Sequence, residues 1–381
     1  MDQPLEIAGD LFLLLALVGC AYLILAGLKT RAFFRAVAAG AAARPEPVTM
    51  LKPLYGEEPG LEAALAGFFA QDYPGPTQIV LGVRDAADPA RRIAERLAAA
   101  HPNQDVAVVV DPRVHGVNGK VANLINMASR AKGPILVLSD SDIFVAPDYL
   151  ARVVAALGGE GVGLATCPYY GVAVAGFWSR IAAMGLTFQF LPSVATGVSL
   201  GLATPCMGST IALRREVLHE IGGFEAFADL LADDYAIGAA VRATGRRTVV
   251  APVLVAHGCA DATLGQMLAH ELRWARTVRG VDPAGFFGSG VTHAFVLALI
   301  GVILLQASPL SWAVLAAAAA CRLWMMRHVS QVTAPAKASL WLFPLRDVLS
   351  FVVFVASFFV SVVDWRGARF RVDQDGGLSG I

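Results

Sequence analysis

The sequence predicts an α/β domain built on a largely parallel sheet, with transmembrane helices at the N- and C-terminal ends. Three observations carry this. Between Arg44 and about Gly290, short apolar runs alternate with stretches of helical periodicity, the pattern of strand and crossover helix. Apolar blocks stand on both sides of that region. Hydrophobic residues make up 56% of the 381-residue chain, charged residues only 16%, and the mean hydropathy is +0.60, so part of the chain belongs in lipid.

In chain order, Leu11 to Leu28 is an uncharged apolar run long enough to span a bilayer. Acidic Asp2, Glu6 and Asp10 precede it and basic Lys29, Arg31 and Arg35 follow, which favours an uncleaved signal anchor with the later chain on the cytoplasmic side. Strands are expected at Pro47 to Leu54, Gln78 to Val83, Val106 to Val110, Ile135 to Ser139, Gly163 to Cys167 and Thr248 to Val253. Helices are expected at Leu61 to Phe69, Pro89 to Ala100, Lys120 to Arg130 and Pro147 to Leu157. Ile181 to Pro205 is weakly charged but carries Gln189 and Pro192, and a crossing there would put the acidic motifs on its two sides in opposite compartments. It is expected to be buried or to lie on the membrane surface. A second apolar block, Val291 to Met326, is broken at Ser308-Pro309 into two short spans, and a third runs from about Val348 to Val363. Two spans return the chain to the cytoplasm at Arg327, His328 and Lys337, yet a third crossing puts Arg366, Arg369 and Arg371 outside, so one of these helices is expected to be re-entrant or interfacial. The expected organisation is a non-cytoplasmic N-terminus (1–10), an anchor (11–28), a cytoplasmic domain (29–290), membrane or interfacial helices (291–363) and a polar tail (364–381).

Thirty Lys+Arg balance thirty Asp+Glu, which excludes a general nucleic-acid binder and leaves any phosphate site local. The five cysteines are scattered without a C-x-x-C pair, so neither a disulfide framework nor a zinc cluster is readable, and a reducing compartment suits them.

In parallel sheets ligands bind beyond the carboxyl ends of the strands. No P-loop or G-x-G-x-x-G follows the first strand, and the strand exits are acidic instead. Val83 is followed by Arg84, Asp85 and Asp88, and Ile135 to Ser139 runs into Asp140-Ser141-Asp142. Two carboxylates one residue apart at a strand exit offer hard oxygen ligands to Mg2+ or Mn2+, which holds a diphosphate in turn; a solvated turn is the plainer reading of such a pair taken alone. Asp233-Asp234-Tyr235 opens a helical stretch after Gly222-Gly223-Phe224, where negative charge is favoured for its own sake. His270-Glu271-Leu272-Arg273-Trp274 sits on a helix with Arg276 and Arg279, which also reads as a basic amphipathic helix on anionic lipid.

Taken in order, Leu51-Lys52-Pro53-Leu54, Asp85, Asn118-Gly119-Lys120, Asp140-Ser141-Asp142, Asp233-Asp234 and Arg273-Trp274 resemble the D, D, D, (Q/R)-x-x-R-W series of lipid-directed glycosyltransferases of GT-A fold. Leu51 to Gly56, Phe68 to Pro74, Asp85 to Ala90 and Gly116 to Leu124 resemble the ceramide glucosyltransferase family, across nearly the whole expected cytoplasmic domain. Cys206 to Arg215, Gly223 to Phe227 and His270 to Thr277 are similar to its bacterial hopanoid-associated branch. The resemblance implies a multi-pass protein of the bacterial inner membrane, catalytic domain facing the cytoplasm, that moves N-acetylglucosamine from a UDP-sugar donor to a hydroxyl of a hopanoid with inversion. A ceramide or diacylglycerol glucosyltransferase is the alternative, and a non-catalytic sugar-binding or transport subunit a further one. The resemblance names no protein partner.

Residue by residue, it implies that Asp85 contacts the uracil or ribose, that Lys52 and Lys120 belong to the donor site, and that Asp140 touches ribose or sugar and joins Asp142, the main metal ligand. Arg273 is implied to stabilise the departing UDP and Trp274 to face the acceptor. His270 stands where the general motif has Gln or Arg, which leaves its part in the motif open. Asp234 is the implied general base, with Asp233 a helix-start residue.

Overall fold

The computed structural model describes residues 3–35, 45–333 and 340–359, and beyond them only the backbone of three short strands. Asp2, Lys337, Arg366 and residues 373–377 lie outside the described residues, and Arg369 and Arg371 are described as backbone alone.

The chain opens with α1 (Gln3–Arg35), followed by β1 (Val48–Pro53), α2 (Leu61–Phe69), β2 (Thr77–Val83), α3 (Pro89–Ala100), β3 (Asp105–Val110) and α4 (Gly119–Ala128). Next come β4 (Ile135–Leu138), β5 (Ile143–Phe144), α5 (Tyr149–Leu157), β6 (Val162–Thr166), β7 (Tyr169–Ala173), α6 (Phe177–Gly185) and α7 (Leu191–Ser199), the last two joined by a π-helical turn, Leu186–Phe190. Then follow β8 (Ile211–Arg214), α8 (Arg215–Glu220), α9 (Asp233–Ala243), β9 (Arg247–Val250), β10 (Val255–Cys259) and α10 (Leu264–Val281). The chain closes with α11 (Pro283–Gly288), α12 (Ala294–Leu304), α13 (Pro309–Val329), α14 (Phe343–Ala356) and the strands β11 (Val362–Trp365), β12 (Ala368–Val372) and β13 (Leu378–Gly380).

Packing divides the chain into two compact units: Ala36–Ala175 with Leu200–Ala260, and Met1–Arg35 with Gly176–Ser199 and Asp261–Ile381. This differs from the single 29–290 block expected from the sequence, because α6, α7 and α10 pack with the apolar helices.

In the first unit a seven-stranded sheet has the order β3-β2-β1-β4-β8-β6-β9. It is parallel except that β8 runs against β4 and β6. Side chains alternate between two cores. Met50, Leu81 and Val137 face one core with Leu65, Phe68, Ile93 and Val153, while Leu51, Val80 and Leu138 face the other with Leu124, Met127 and Ile237. Both sheet faces are covered by helices, so these strands read as unbroken apolar runs. Local chemistry sets the helix starts: Asp88 accepts from the Ala90 N–H ahead of Pro89, and Asn118 accepts from the Lys120 and Val121 N–H groups. A small sheet, β5-β10-β7, stands beside the large one.

In the second unit α1 packs against α7, α12 and α13. Among the described residues four helices are long and apolar enough to cross a membrane: Gln3–Arg35, Phe177–Ser199, Pro283–Leu304 and Pro309–Val329. The break at Ser308-Pro309 falls between the last two, where the Ser308 side chain caps α13. The segment expected from Ile181 is helical from Phe177, and most of its apolar window is buried within the protein. In the third apolar block the described helix is the 14-residue α14, about 21 Å at 1.5 Å per residue and short of a hydrocarbon core of about 30 Å.

Candidate active site

Asp140 leaves the end of β4, and its carboxylate meets the Lys120 ammonium at 2.7 Å. Lys120 also lies 3.3 Å from Asp233, whose other oxygen accepts from Asn118 Nδ2 at 3.3 Å. Asp234 accepts from the Gly208 N–H at 2.9 Å through Oδ2 and from the Tyr235 N–H at 2.8 Å through Oδ1. Gly208 joins the groups: a Cβ there would stand 2.8 Å from the Asp140 carboxylate and 3.0 Å from Lys120 Nζ, so a larger residue would push these side-chain ends aside.

The charges act on one another. Burial alone disfavours the Lys120 ammonium, but Asp140, Asp233 and Asp234 outweigh it and hold it well above the ordinary lysine range. Burial first, then the Asp233 charge, push Asp234 up to about 6 against the opposing pull of Lys120. A carboxylate so raised is a better proton acceptor than an exposed one.

Asp142 stands in the other sheet's company. Its Oδ2 lies 3.2 Å from His257 Nε2 on β10, and the Tyr169 ring of β7 stacks on the imidazole at 5.5 Å between centroids. The register fixes the pair, since His257 stands opposite Ile143 and the Gly258 N–H donates to the Asp142 carbonyl at 2.9 Å. Asp142 Oδ1 is buried without a hydrogen-bond partner among the described residues. A carboxylate oxygen left over beside an imidazole nitrogen suits a divalent ion of the Mg2+ or Mn2+ class. Among the described residues no group of three or more His, Cys, Asp or Glu side chains encloses an ion, so the protein offers part of a coordination shell.

Lys52 differs from its expected place in the donor site. It is 0% exposed, and its ammonium donates to the Asp140 carbonyl and, at 3.2 Å, to Ser139 Oγ while lying 3.8 Å over the Phe68 ring. A side chain so enclosed ties the D-S-D turn to β1 and has no surface for a ligand. Asp140 is likewise held by Lys120, which leaves Asp142 the freer of the two expected metal ligands. Asp85 is exposed at the end of β2, with Oδ1 accepting from the Ala87 N–H at 2.8 Å.

His270, Arg273 and Trp274 lie on α10, in the other compact unit. There Thr263 and Gln266 form a capping box, His270 Nδ1 is 3.5 Å from Asp261, and the His270 and Trp274 rings are 4.1 Å apart. Nothing in the sequence pointed to His257, and Gly208 stood out only as part of the Cys206 to Arg215 stretch, without a role. His257 is a lone histidine in a buried strand, and only the β5 to β10 pairing brings it to Asp142.

Ceramide glucosyltransferase 1 of Caenorhabditis elegans is 25% identical over 274 residues, covering 70% of this chain and 58% of that protein. An N-acetylglucosaminyltransferase of Mesorhizobium japonicum is 26% identical over 243 residues, 60% of this chain and 55% of its own length. The chain thus spans between half and two thirds of the length of these relatives. The mannosyltransferase PcManGT from Pyrobaculum calidifontis, solved with GDP-Man and Mn2+, superposes with a TM-score of 0.53 at 22% identity, covering 93% of this chain and 98% of that one. This is the GT-A fold expected from the motifs. The profile of glycosyl transferase family 21 matches residues 11–378, and the chain belongs to that family.

Proposed function

We propose that the protein is a multi-pass inner-membrane glycosyltransferase, its sheet unit facing the cytoplasm. It transfers N-acetylglucosamine from UDP to a hydroxyl of a hopanoid lipid with inversion. The observation that carries the chemistry is Asp234, a raised carboxylate fixed by the Gly208 backbone next to the Lys120–Asp140 pair. Asp234 takes the acceptor hydroxyl proton; the acceptor oxygen forms the new bond to the anomeric carbon as the bond to the diphosphate oxygen breaks, its electron pair leaving with UDP. Lys120 and Asp233 fix the turn and the helix start on either side of that carboxylate.

Asp142 and His257, with Asp140 alongside, are the residues that would hold a divalent ion. Bound there, Mg2+ or Mn2+ supplies positive charge to the departing diphosphate. Asp85, at the end of β2, is proposed to meet the nucleoside. Arg273 and Trp274 enter on the motif alone, for the leaving group and the acceptor. Their neighbour His270 is proposed to orient Trp274 through its ring contact.

The Mesorhizobium relative supports the choice of sugar, and the four long apolar helices support a lipid acceptor. The Caenorhabditis relative favours a second reading, glucose transfer to ceramide. UDP release measured with hopanoid, ceramide and diacylglycerol in parallel decides. Release with UDP-N-acetylglucosamine that requires hopanoid is expected; release that requires ceramide and UDP-glucose gives the second reading, and absence of release with every lipid rejects transfer.

A further inference from the structure

Helix α10 carries a guanidinium that the proposed transfer does not use. Arg276 is 8% exposed, and its Nε and Nη1 are buried without a hydrogen-bond partner among the described residues. Other charged side chains of the helix are engaged: Glu271 takes two hydrogen bonds from Arg346, at 2.6 and 2.9 Å, and Arg279 lies 5.3 Å from the Phe358 ring. Burial, and then the Arg279 charge, lower the Arg276 guanidinium, which means that the neighbouring charge felt most is of its own sign.

A buried lysine escapes such a position by losing its proton, whereas arginine does not. An unpaired buried charge is among the costlier features a fold carries, and a planar fork with unmatched N–H groups fits the oxygens of a phosphate. The chain runs from α10 through Asp282 directly into Pro283–Leu304, a segment long and apolar enough to cross a membrane. Arg276 therefore stands close in sequence to the level at which lipid phosphates lie.

We propose that Arg276, assisted by Arg279, forms a phosphate-binding subsite on α10, open to an anionic lipid headgroup or to the diphosphate of a nucleotide. The proposal stands apart from the assignment of Asp234 and is tested without turnover.

The full chain, stripped of lipid in a neutral detergent, is titrated with phosphatidylglycerol, with phosphatidylcholine, with UDP and with pyrophosphate, and its melting temperature is followed. The wild type is expected to gain stability with phosphatidylglycerol, UDP or pyrophosphate. Arg276→Gln should need about ten to a hundred times more of the same probe, the loss of a hydrogen-bonded charge contact. Arg276→Lys should fall between, and Arg96→Gln, an exposed arginine of the other unit, should behave as wild type. A loss in Arg276→Gln confined to the phosphatidylglycerol response assigns the headgroup as the source, and a loss confined to the UDP and pyrophosphate responses assigns the nucleotide. If Arg276→Gln does not accumulate, Arg279→Gln carries the test, with a several-fold weaker response expected. A wild type indifferent to every phosphate probe, or variants at both positions that respond as wild type does, overturns the proposal. So does an equal response to phosphatidylcholine and phosphatidylglycerol that survives Arg276→Gln.

Discussion

In the helical unit the Arg322 and Asp347 side chains are 5% and 6% exposed and joined at 2.6 Å, with the Phe188 carbonyl taking a further Arg322 N–H at 2.6 Å. In the sheet unit the Asp140 and Asp142 side chains keep 35% and 31% of their surface, and one oxygen of Asp142 is unmatched. The first arrangement closes on itself and holds α13 to α14; the second leaves room for a ligand. Residue type alone does not separate the two. Satisfaction of the hydrogen-bonding groups does, and it makes the same kind of substitution a stability experiment in one unit and a chemical experiment in the other.

The largest expected effect is at Asp234. Asp234→Asn should lower transfer by about 10² to 10⁴ while donor affinity and melting temperature stay near wild type, as read by UDP release and by donor titration. Loss of donor binding in step with turnover would move Asp234 from base to binding residue. Asp347→Ala is the counterpart in the helical unit. It strands the Arg322 guanidinium and should destabilise the protein by about 3 to 5 kcal/mol in thermal or chemical unfolding. An unchanged melting temperature would show that Arg322 finds another partner.

Next in size is the metal pair. His257→Ala should raise the Mn2+ or Mg2+ concentration needed for half-maximal activity about ten to a hundredfold, with the fold retained. An unchanged metal requirement would leave His257 only as a prop for Asp142. The smallest effect is in pH. With Asp234 pushed up to about 6 from an ordinary 3.8, the rate should fall about tenfold per unit below pH 6. The sign for stability is opposite. The folded state keeps a proton that the unfolded chain has released, so this group favours folding at low pH and loses that contribution as pH rises through about 6. A rate independent of pH between 5 and 7 would remove Asp234 as the titrating base.

Much of the sheet unit was legible in the sequence. Leu61–Phe69 and Pro89–Ala100 form the helices expected, the second because Asp88 and Pro89 mark its start. Lys52 was legible as a strand residue but not as a buried one. With helices on both sheet faces, a parallel strand shows no alternation to say which way a lysine points. His257 was hidden for another reason, since its role comes from a pairing between strands distant in the chain. In the helical unit, hydropathy located α1 and the break before α13, whereas the pairing of Arg322, inside the second apolar block, with Asp347, just before the third, is interpretable only once both helices are side by side.

A single displacement assisted by one carboxylate inverts the anomeric centre, so the product's configuration reports on it without any variant. Proton NMR of the glycolipid formed from an α-linked UDP-sugar reads the anomeric coupling. A β-linked product is expected; an α-linked product would contradict direct attack by the acceptor and with it the role given to Asp234.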